Sequence, residues 1–210
     1  MRGDDVKLYL VRHGETDWNR EGRMQGRKEV DINLFGLRQA HLCAKRLKHI
    51  PFDSAYTSPQ SRAIQTAEII TRNHDLTLNK HPNLQEIHLG SWEGLTWSDV
   101  KKKHRGLMDD MNREKKMANI HGGETYEDVI DRAMRFIDDI EDTDLKNVLV
   151  VTHGGVIKSM VTHILGLSIE KRSNFHITNT SVSVLERDKA GKWKVLTMND
   201  HSHLEELMFD

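Results

Sequence analysis

Two short apolar runs in this chain each end in a histidine followed by glycine: LVRHG at Leu10 to Gly14 and VVTHGG at Val150 to Gly155. An imidazole acts as a nucleophile or base only while it is neutral, and a glycine beside it removes Cβ where backbone must approach a ligand closely. In open α/β sheets, ligands bind beyond the carboxyl ends of the strands, where adjacent crossovers leave for opposite faces. Matched strand ends therefore direct His13 and His153 into one crevice. The helix expected after Gly155 can present free N–H groups to an anion. Arg12 precedes His13, and Arg62 falls in the first turn of another expected helix, where a cation opposes the helix dipole. That unfavourable placement points to a nearby anion, and the set as a whole to a phosphate pocket. Each element has a plainer reading: a lone strand-end histidine is usually a hydrogen-bonded structural residue, and Arg12 an exposed charge. Repetition of the His-Gly ending weighs against it.

The elements that must position these groups follow from pattern. Lys7 to Arg12 reads as a buried strand stopping at Gly14. Asn33 caps a helix with Leu37, Ala40, Ala44 and Leu47 on one face, ending before Pro51. A short strand over Asp53 to Thr57 leads to Ser58-Pro59, which reads as cap and first helical position for a helix through Ala63, Ile64, Ala67 and Ile70. Thr77 to Gly123 is less regular and reads as an excursion, with roughly 89–123 as a lid-like insertion. Thr125 and Asp128 start a helix burying Val129, Ala133, Phe136, Ile137 and Ile140. NVLVVT is a continuous apolar strand, followed by a helix with Val156, Ile157, Met160, Val161 and Ile164. Late strands over Ser181 to Arg187 and Lys192 to Met198 flank DKAG, a hairpin loop. Strands alternating with helices predict an α/β fold: a mostly parallel central sheet flanked by helices on both faces, with an antiparallel addition.

A length of 210 residues suits one domain, 1–210, and 37% hydrophobic with 30% charged residues is ordinary for a globular chain. The formal net charge of -1, with both signs spread along the chain, calls for neither nucleic acid nor a membrane surface as partner. The single cysteine, Cys43, reads as a core or near-surface helical residue and cannot form an intramolecular disulfide; the N-terminus lacks a signal-peptide pattern. Both favour a cytoplasmic location. The sequence carries no signal for oligomeric state.

The segments LVRHGETDWN, SPQSRAIQTAEI, LQEIHLGSWEG, VTHGG and NTSVSVL, in this order and at these separations, resemble the histidine phosphatases of the phosphoglycerate mutase superfamily. The resemblance spans nearly the whole chain. It implies a phosphoglycerate mutase-like three-layer fold and a phosphomonoester hydrolase that works through a phosphohistidine on small phosphorylated substrates, with no metal or cofactor. Carried over residue by residue, it implies His13 as nucleophile, Arg12, Arg62 and His153 as the phosphate clamp, and Glu86 as proton donor. Asn19 falls at a further phosphate contact, and Gly154 where a backbone N–H helps. Two planar guanidinium forks suit charge spread over equatorial phosphoryl oxygens. Glu86 must begin protonated, give its proton to the leaving alkoxide and then serve as base for water; on residue type alone it is an ordinary surface carboxylate. Gln25, Trp92 and Glu93 line the substrate side in this reading, with Trp92 equally suited to a lid core.

Within the family, a short connection from LGSWEG to HGGET and the lack of a tandem arginine, since Arg105 and Arg113 are apart, favour a broad-specificity phosphatase over a cofactor-dependent phosphoglycerate mutase. α-Ribazole phosphatases and fructose bisphosphatase relatives remain alternatives. The first helix is entered by Asp31-Ile32-Asn33 instead of the family's Pro-Leu-Thr type, with Asn33 still able to cap. The basic run Lys101 to Arg105 reads as a solvated helix face before a substrate guide. Thirteen histidines raise a metalloenzyme reading, but there is no HExxH, and His201 with His203 is only a tail pair. A non-catalytic phosphate-binding module would be expected to lack His13 or Glu86, and both are present.

Overall fold

The structure is a computed structural model that describes residues 5–103, 105, 122–141 and 145–208. Six strands form one sheet: β1 Val6–Arg12, β2 Ser54–Thr57, β3 Leu78–Lys80, β4 Asn147–Thr152, β5 Val182–Arg187 and β6 Trp193–Asp200. Their order is β3-β2-β4-β1-β5-β6. The first four are parallel, while β5 and β6 are antiparallel additions on the β1 side. The principal helices are α1 Asp17–Arg20, α2 Leu34–Leu47, α3 Ser61–Thr71, α4 Trp97–Lys103, α5 Tyr126–Glu141 and α6 Gly154–Ile164.

The two-residue period of the strands creates three layers. Leu8, Leu10, Val148 and Val150 point to a core shared with Val129, Phe136 and Ile137 of α5 and Ile157 and Met160 of α6. Their neighbours Val11, Leu149 and Val151 point the other way, to Ala40, Cys43 and Leu47 of α2 and Ala63, Ala67 and Ile70 of α3. β1 and β4 are buried on both faces, which is why they read as unbroken apolar runs. Each fully buried Leu or Val contributes about 1.5–3 kcal/mol. The crossover from β1 leaves through α2 and that from β4 through α6, on opposite faces. Because β1 and β4 are neighbours, the crevice opens between their carboxyl ends.

Local signals mostly act as their chemistry dictates. The Asn33 side chain accepts from the Gly36 N–H at 2.8 Å, an N-cap worth about 1 kcal/mol. Thr125 and Asp128 cap α5 reciprocally, at 2.8 Å and 3.2 Å. Cys43 is fully buried in α2. Two expectations are corrected. α3 begins at Ser61, after Gln60 in extended conformation with no side-chain cap, so Ser58 is not the cap and Pro59 is not its first residue. Both Ser58 and Gln60 spend their side chains on the crevice instead. β3 and the short helices α1 and α4 fall where the sequence showed only loop or irregular structure. Of the expected lid, Trp92 is buried against Val100 with Met24, Leu89 and Leu95 around them, and Lys101, Lys102 and Lys103 are exposed on α4. Residues 104 and 106–121 of that stretch, which include His104 and Arg113, lie outside the described residues.

Candidate active site

The register of β1 on β4 pairs Arg12 with Thr152, so the next residues, His13 and His153, emerge side by side. The His13 N–H donates to the Thr152 carbonyl at 2.9 Å, and the two imidazole centroids lie 5.2 Å apart. Both side chains are buried. On the far side of β4, the Ser58 N–H extends the β2 pairing to the Val151 carbonyl at 3.0 Å, so Ser58 reaches the same edge.

His13 Nδ1 lies 2.8 Å from the Gly14 carbonyl oxygen. A carbonyl can only accept, so Nδ1 carries the proton and Nε2 the lone pair. Burial, then the charges of Arg62 and Arg12, hold His13 well below the usual imidazole range, with the Gly14 bond acting weakly the other way. The ring is therefore neutral near pH 7, with its lone pair on Nε2. The Asn179 side-chain amide holds the His13 carbonyl at 2.8 Å, and the Gly14 N–H donates to Thr66 of α3 at 2.9 Å. A Cβ on Gly14 would stand 2.8 Å from the Gly36 carbonyl oxygen. Gly14 is thus needed to seat α2 against this loop, not to admit a ligand as its position had suggested.

The residues expected to form the clamp lie near His13. Arg12 donates through Nη1 to the Ile177 carbonyl at 2.6 Å. Arg62, fully buried, donates to the carbonyls of Lys28 and Gly26, both at 2.8 Å. Burial pushes Arg62 down to about 10, which leaves it charged at neutral pH. His153 Nε2 lies 2.8 Å from Ser58 Oγ, and burial followed by the Arg62 charge holds this ring well below its usual range too. Arg12 Nε, Arg62 Nε and His153 Nδ1 are all buried without a hydrogen-bond partner. Buried donors are ordinarily satisfied. Donors of this kind around a neutral imidazole make a seat for a tetrahedral anion.

Glu86 reaches the same floor from the loop after β3. Its carboxylate accepts from the Ile87 N–H at 2.9 Å and the Gly155 N–H at 3.3 Å, and its own N–H donates to Gln60 Oε1 at 2.8 Å. A Cβ on Gly155 would lie 2.3 Å from Glu86 Oε1, so the second glycine of His-Gly-Gly makes room for this carboxylate. Gly154 faces Arg12, where a Cβ would make only ordinary contact at 3.6 Å.

These groups line a cleft of about 560 Å³. Arg12, His13, Asn19, Gln25, Arg62, Glu86 and Gly154 all border it, while His153 does not line it but adjoins His13 at 5.2 Å between ring centroids. Asn19 Oδ1 is engaged by the Thr16 N–H at 3.1 Å in the cap of α1. Trp92 belongs both to the small lid cluster and to the cleft wall. Glu93 does not line the cleft; its Oε1 accepts from the backbone of Arg27 at 2.8 Å and of Leu89 at 3.2 Å, which removes it from the substrate side. Residues to which the sequence gave no role also meet here. Ser58, Gln60 and Asn179 support the floor, while Tyr126, Lys158 and Arg172 border the cleft above it. The first three lie in or beside motif segments, but only long-range contacts reveal what they hold. Among the described residues, no group of three or more His, Cys, Asp and Glu is arranged to hold a metal ion, and no helix is long and apolar enough to cross a membrane.

Known proteins are similar to this chain in sequence and fold. The metal-independent phosphoserine phosphatase of Arabidopsis thaliana is 35% identical over 214 residues, covering 100% of this chain and 87% of its own length. Phosphoglycerate mutase-like protein 4 of the same plant is 34% identical over 212 residues, with 98% and 90% covered. The solved structure of Bacillus stearothermophilus YhfR superposes with a TM-score of 0.86 at 33% identity, covering 95% of this chain and 100% of that one. The family model described as the histidine phosphatase superfamily (branch 1) matches residues 8–201, from β1 through the tail beyond β6. With paired strand-end histidines, Arg12, the buried Arg62 and a facing carboxylate inside that match, the chain belongs to branch 1 of the histidine phosphatase superfamily.

Proposed function

We propose that this chain hydrolyses phosphomonoesters of small metabolites through a phosphohistidine on His13 Nε2, without a metal ion. The observation that carries the reading is the Nδ1 bond to the Gly14 carbonyl in a ring kept neutral by burial and two guanidinium groups. The Nε2 lone pair attacks phosphorus, the P–O ester bond breaks, and its electron pair leaves on the alkoxide, which takes the Glu86 proton. Gly14 then stabilises the positive charge developing on the ring. Arg12, Arg62 and His153 hold the equatorial oxygens, supplying the charge that a metal supplies elsewhere. The Ser58 hydroxyl, 2.8 Å from His153 Nε2, can donate to that nitrogen, which leaves Nδ1–H to donate to the phosphoryl group. In the second half, Glu86 as carboxylate takes a proton from water. The oxygen bonds to phosphorus, the N–P bond breaks, and phosphate leaves with His13 restored.

Residues 1–210 act as one catalytic domain in this reading, with 89–123 as its lid, in the cytoplasm. A brief pulse of labelled phosphoester should give an acid-labile, alkali-stable label on the wild-type chain and none on His13→Ala. Persistence of the label in that variant would remove His13 as nucleophile. Dialysis against a chelator should leave turnover unchanged, whereas loss with recovery on added zinc or magnesium would overturn the metal-free step.

A further inference from the structure

The segment NTSVSVL enters β5 through a turn, and none of its side chains has a part in the proposed reaction. Thr180 in this turn is buried and adopts a φ of 56°, the left-handed region that a β-branched residue enters only under strain. Such conformations persist where surrounding bonds over-determine them, and they gather at functional sites. Here the Thr180 N–H donates to the Arg12 carbonyl at 2.9 Å, and the Thr178 N–H donates to Asn199 Oδ1 at 2.6 Å. The Ile177 carbonyl accepts from Arg12 Nη1, also at 2.6 Å. The turn is thus strapped across the end of β1, beside the residue that precedes His13.

What the strained turn delivers is the Asn179 amide. Asn179 does not border the cleft, yet its Nδ2 donates to the His13 carbonyl at 2.8 Å and to Asn19 Oδ1 at 3.3 Å. The His13 carbonyl belongs to the same planar peptide unit as the Gly14 N–H, which donates to Thr66 Oγ1 at 2.9 Å. That peptide is therefore fixed at both ends, and its orientation sets where the Gly14 carbonyl meets His13 Nδ1. At Asn19 the same NH2 group settles which end of the side-chain amide is free. Oδ1 also accepts from the Thr16 N–H at 3.1 Å and the Thr16 hydroxyl at 3.2 Å, so its lone pairs are fully engaged. Asn19 borders the cleft and its Nδ2 donates to no described residue, so the donor end is the one left for an anion.

We propose that Asn179 is a positioning residue whose one NH2 group holds the backbone of the nucleophile and the side chain of Asn19 in register, so that the His13 lone pair and the Asn19 donor converge on one phosphoryl group. This rests on the phosphomonoesterase reading and adds to it a residue outside the cleft. Asn179 touches neither the substrate nor the reacting atoms.

Two replacements separate donation from the filling of space. Asn179→Asp keeps the size of the side chain, but a carboxylate only accepts and so faces two oxygens with nothing to donate; Asn179→Ala removes the group altogether. The measurement is single-turnover phosphorylation of His13 by an alkyl phosphate and by p-nitrophenyl phosphate, normalised to the fraction of chains that take up label. Both variants should lose about tenfold to a hundredfold, the scale of a misplaced reacting group, with Asn179→Asp no faster than Asn179→Ala. The two esters should suffer equally, because the defect lies at the phosphoryl group they share and not at the leaving group. In a chain that already carries Asn19→Ala, adding Asn179→Ala should cost clearly less than it does alone. A rate near the wild-type value in Asn179→Asp with a loss in Asn179→Ala would mean that the residue only fills space, which overturns the proposal. Rates within about twofold of wild type in both variants, or full additivity with Asn19→Ala, would overturn it as well. If Asn179→Asp does not fold, Asn179→Ala and the cycle with Asn19→Ala still decide. Failure of the wild-type chain to hydrolyse even p-nitrophenyl phosphate would instead overturn the phosphatase reading beneath it.

Discussion

In the proposed reaction Glu86 gives up a proton and later regains one, so its carboxyl group must be held firmly while staying within reach of the ester oxygen and of water. Two backbone N–H groups hold it, from Ile87 and Gly155, and the missing Cβ at Gly155 gives it space. Glu86→Gln keeps the shape and should lose roughly 10²–10⁴ in rate on an alkyl phosphate. The loss should be much smaller on p-nitrophenyl phosphate, whose phenolate needs little protonation. Gly155→Ala pushes the carboxylate aside and should shift the alkyl to nitrophenyl rate ratio in the same direction, by less. Single-turnover rates for the two esters check both variants, and equal losses for the two esters would remove Glu86 as the leaving-group acid. At this scale, legibility in the sequence tracks distance along the chain. His13, Arg12 and His153 announce themselves through strand endings. Glu86 stands out only through family resemblance, because its partner Gly155 is 69 positions away. Ser58 and Asn179 reach their histidines across separations of 95 and 166 residues, and nothing in their immediate neighbours signals that.

The loop that carries Glu86 is pinned by α5 and the residues just before it. Glu124 exchanges backbone bonds with His88, its N–H donating at 2.8 Å and its carboxylate accepting at 2.9 Å. The same carboxylate pairs with Arg132 at 3.1 Å and Arg27 at 2.6 Å, while Arg132 donates to the Asn83 carbonyl at 2.8 Å. Both ends of the loop are thus tied to one ion pair whose arginine is nearly buried. Removing Glu124 strands the nearly buried Arg132, so Glu124→Ala should cost about 3 kcal/mol, while Arg132→Ala leaves Glu124 paired with Arg27 and should cost less. The double variant should cost far less than the sum. Urea unfolding of the four proteins measures this, and additive losses would mean that the two residues act independently. The α5 start was readable from Thr125 and Asp128, because capping is settled within four residues. β3, only three residues long, has no such local code: its backbone is strand because β2 offers it a ladder. Ser58 looks like a helix cap locally, but a buried imidazole competes for its hydroxyl, and the helix starts later.

Across the whole molecule, a site built around neutral histidines makes the fold dependent on pH. His13 and His153 are held well below their usual range by burial first and neighbouring arginines second. His74 is lowered by burial, and His203 is pushed down to about 4 by burial, with Arg46 and His201 acting in the same direction and Asp200 opposing. In the unfolded chain each takes up a proton near pH 6.5. Between that value and the lower native one, the unfolded state holds protons that the native state refuses, so stability is fully present above about pH 6.5 and falls as the pH drops through this window. Each histidine kept neutral adds a slope of about 1.4 kcal/mol per pH unit there. Denaturant unfolding should therefore give a lower free energy at pH 5 than at pH 7.5, with proton uptake on unfolding. The carboxylates lowered in the fold, such as Asp128 and Asp200, lose their contributions only nearer pH 4, so they do not account for this change. His203 lies outside the catalytic cleft, against Thr180 at 3.4 Å, which makes it the informative variant. His203→Gln should reduce the slope between pH 6.5 and 5 while leaving kcat on p-nitrophenyl phosphate near the wild-type value, because the site histidines still resist protonation. An unchanged slope would assign the dependence to His13, His153 and His74, and a flat profile in the unmutated chain would mean that these rings take up protons in the native state as readily as in the unfolded chain.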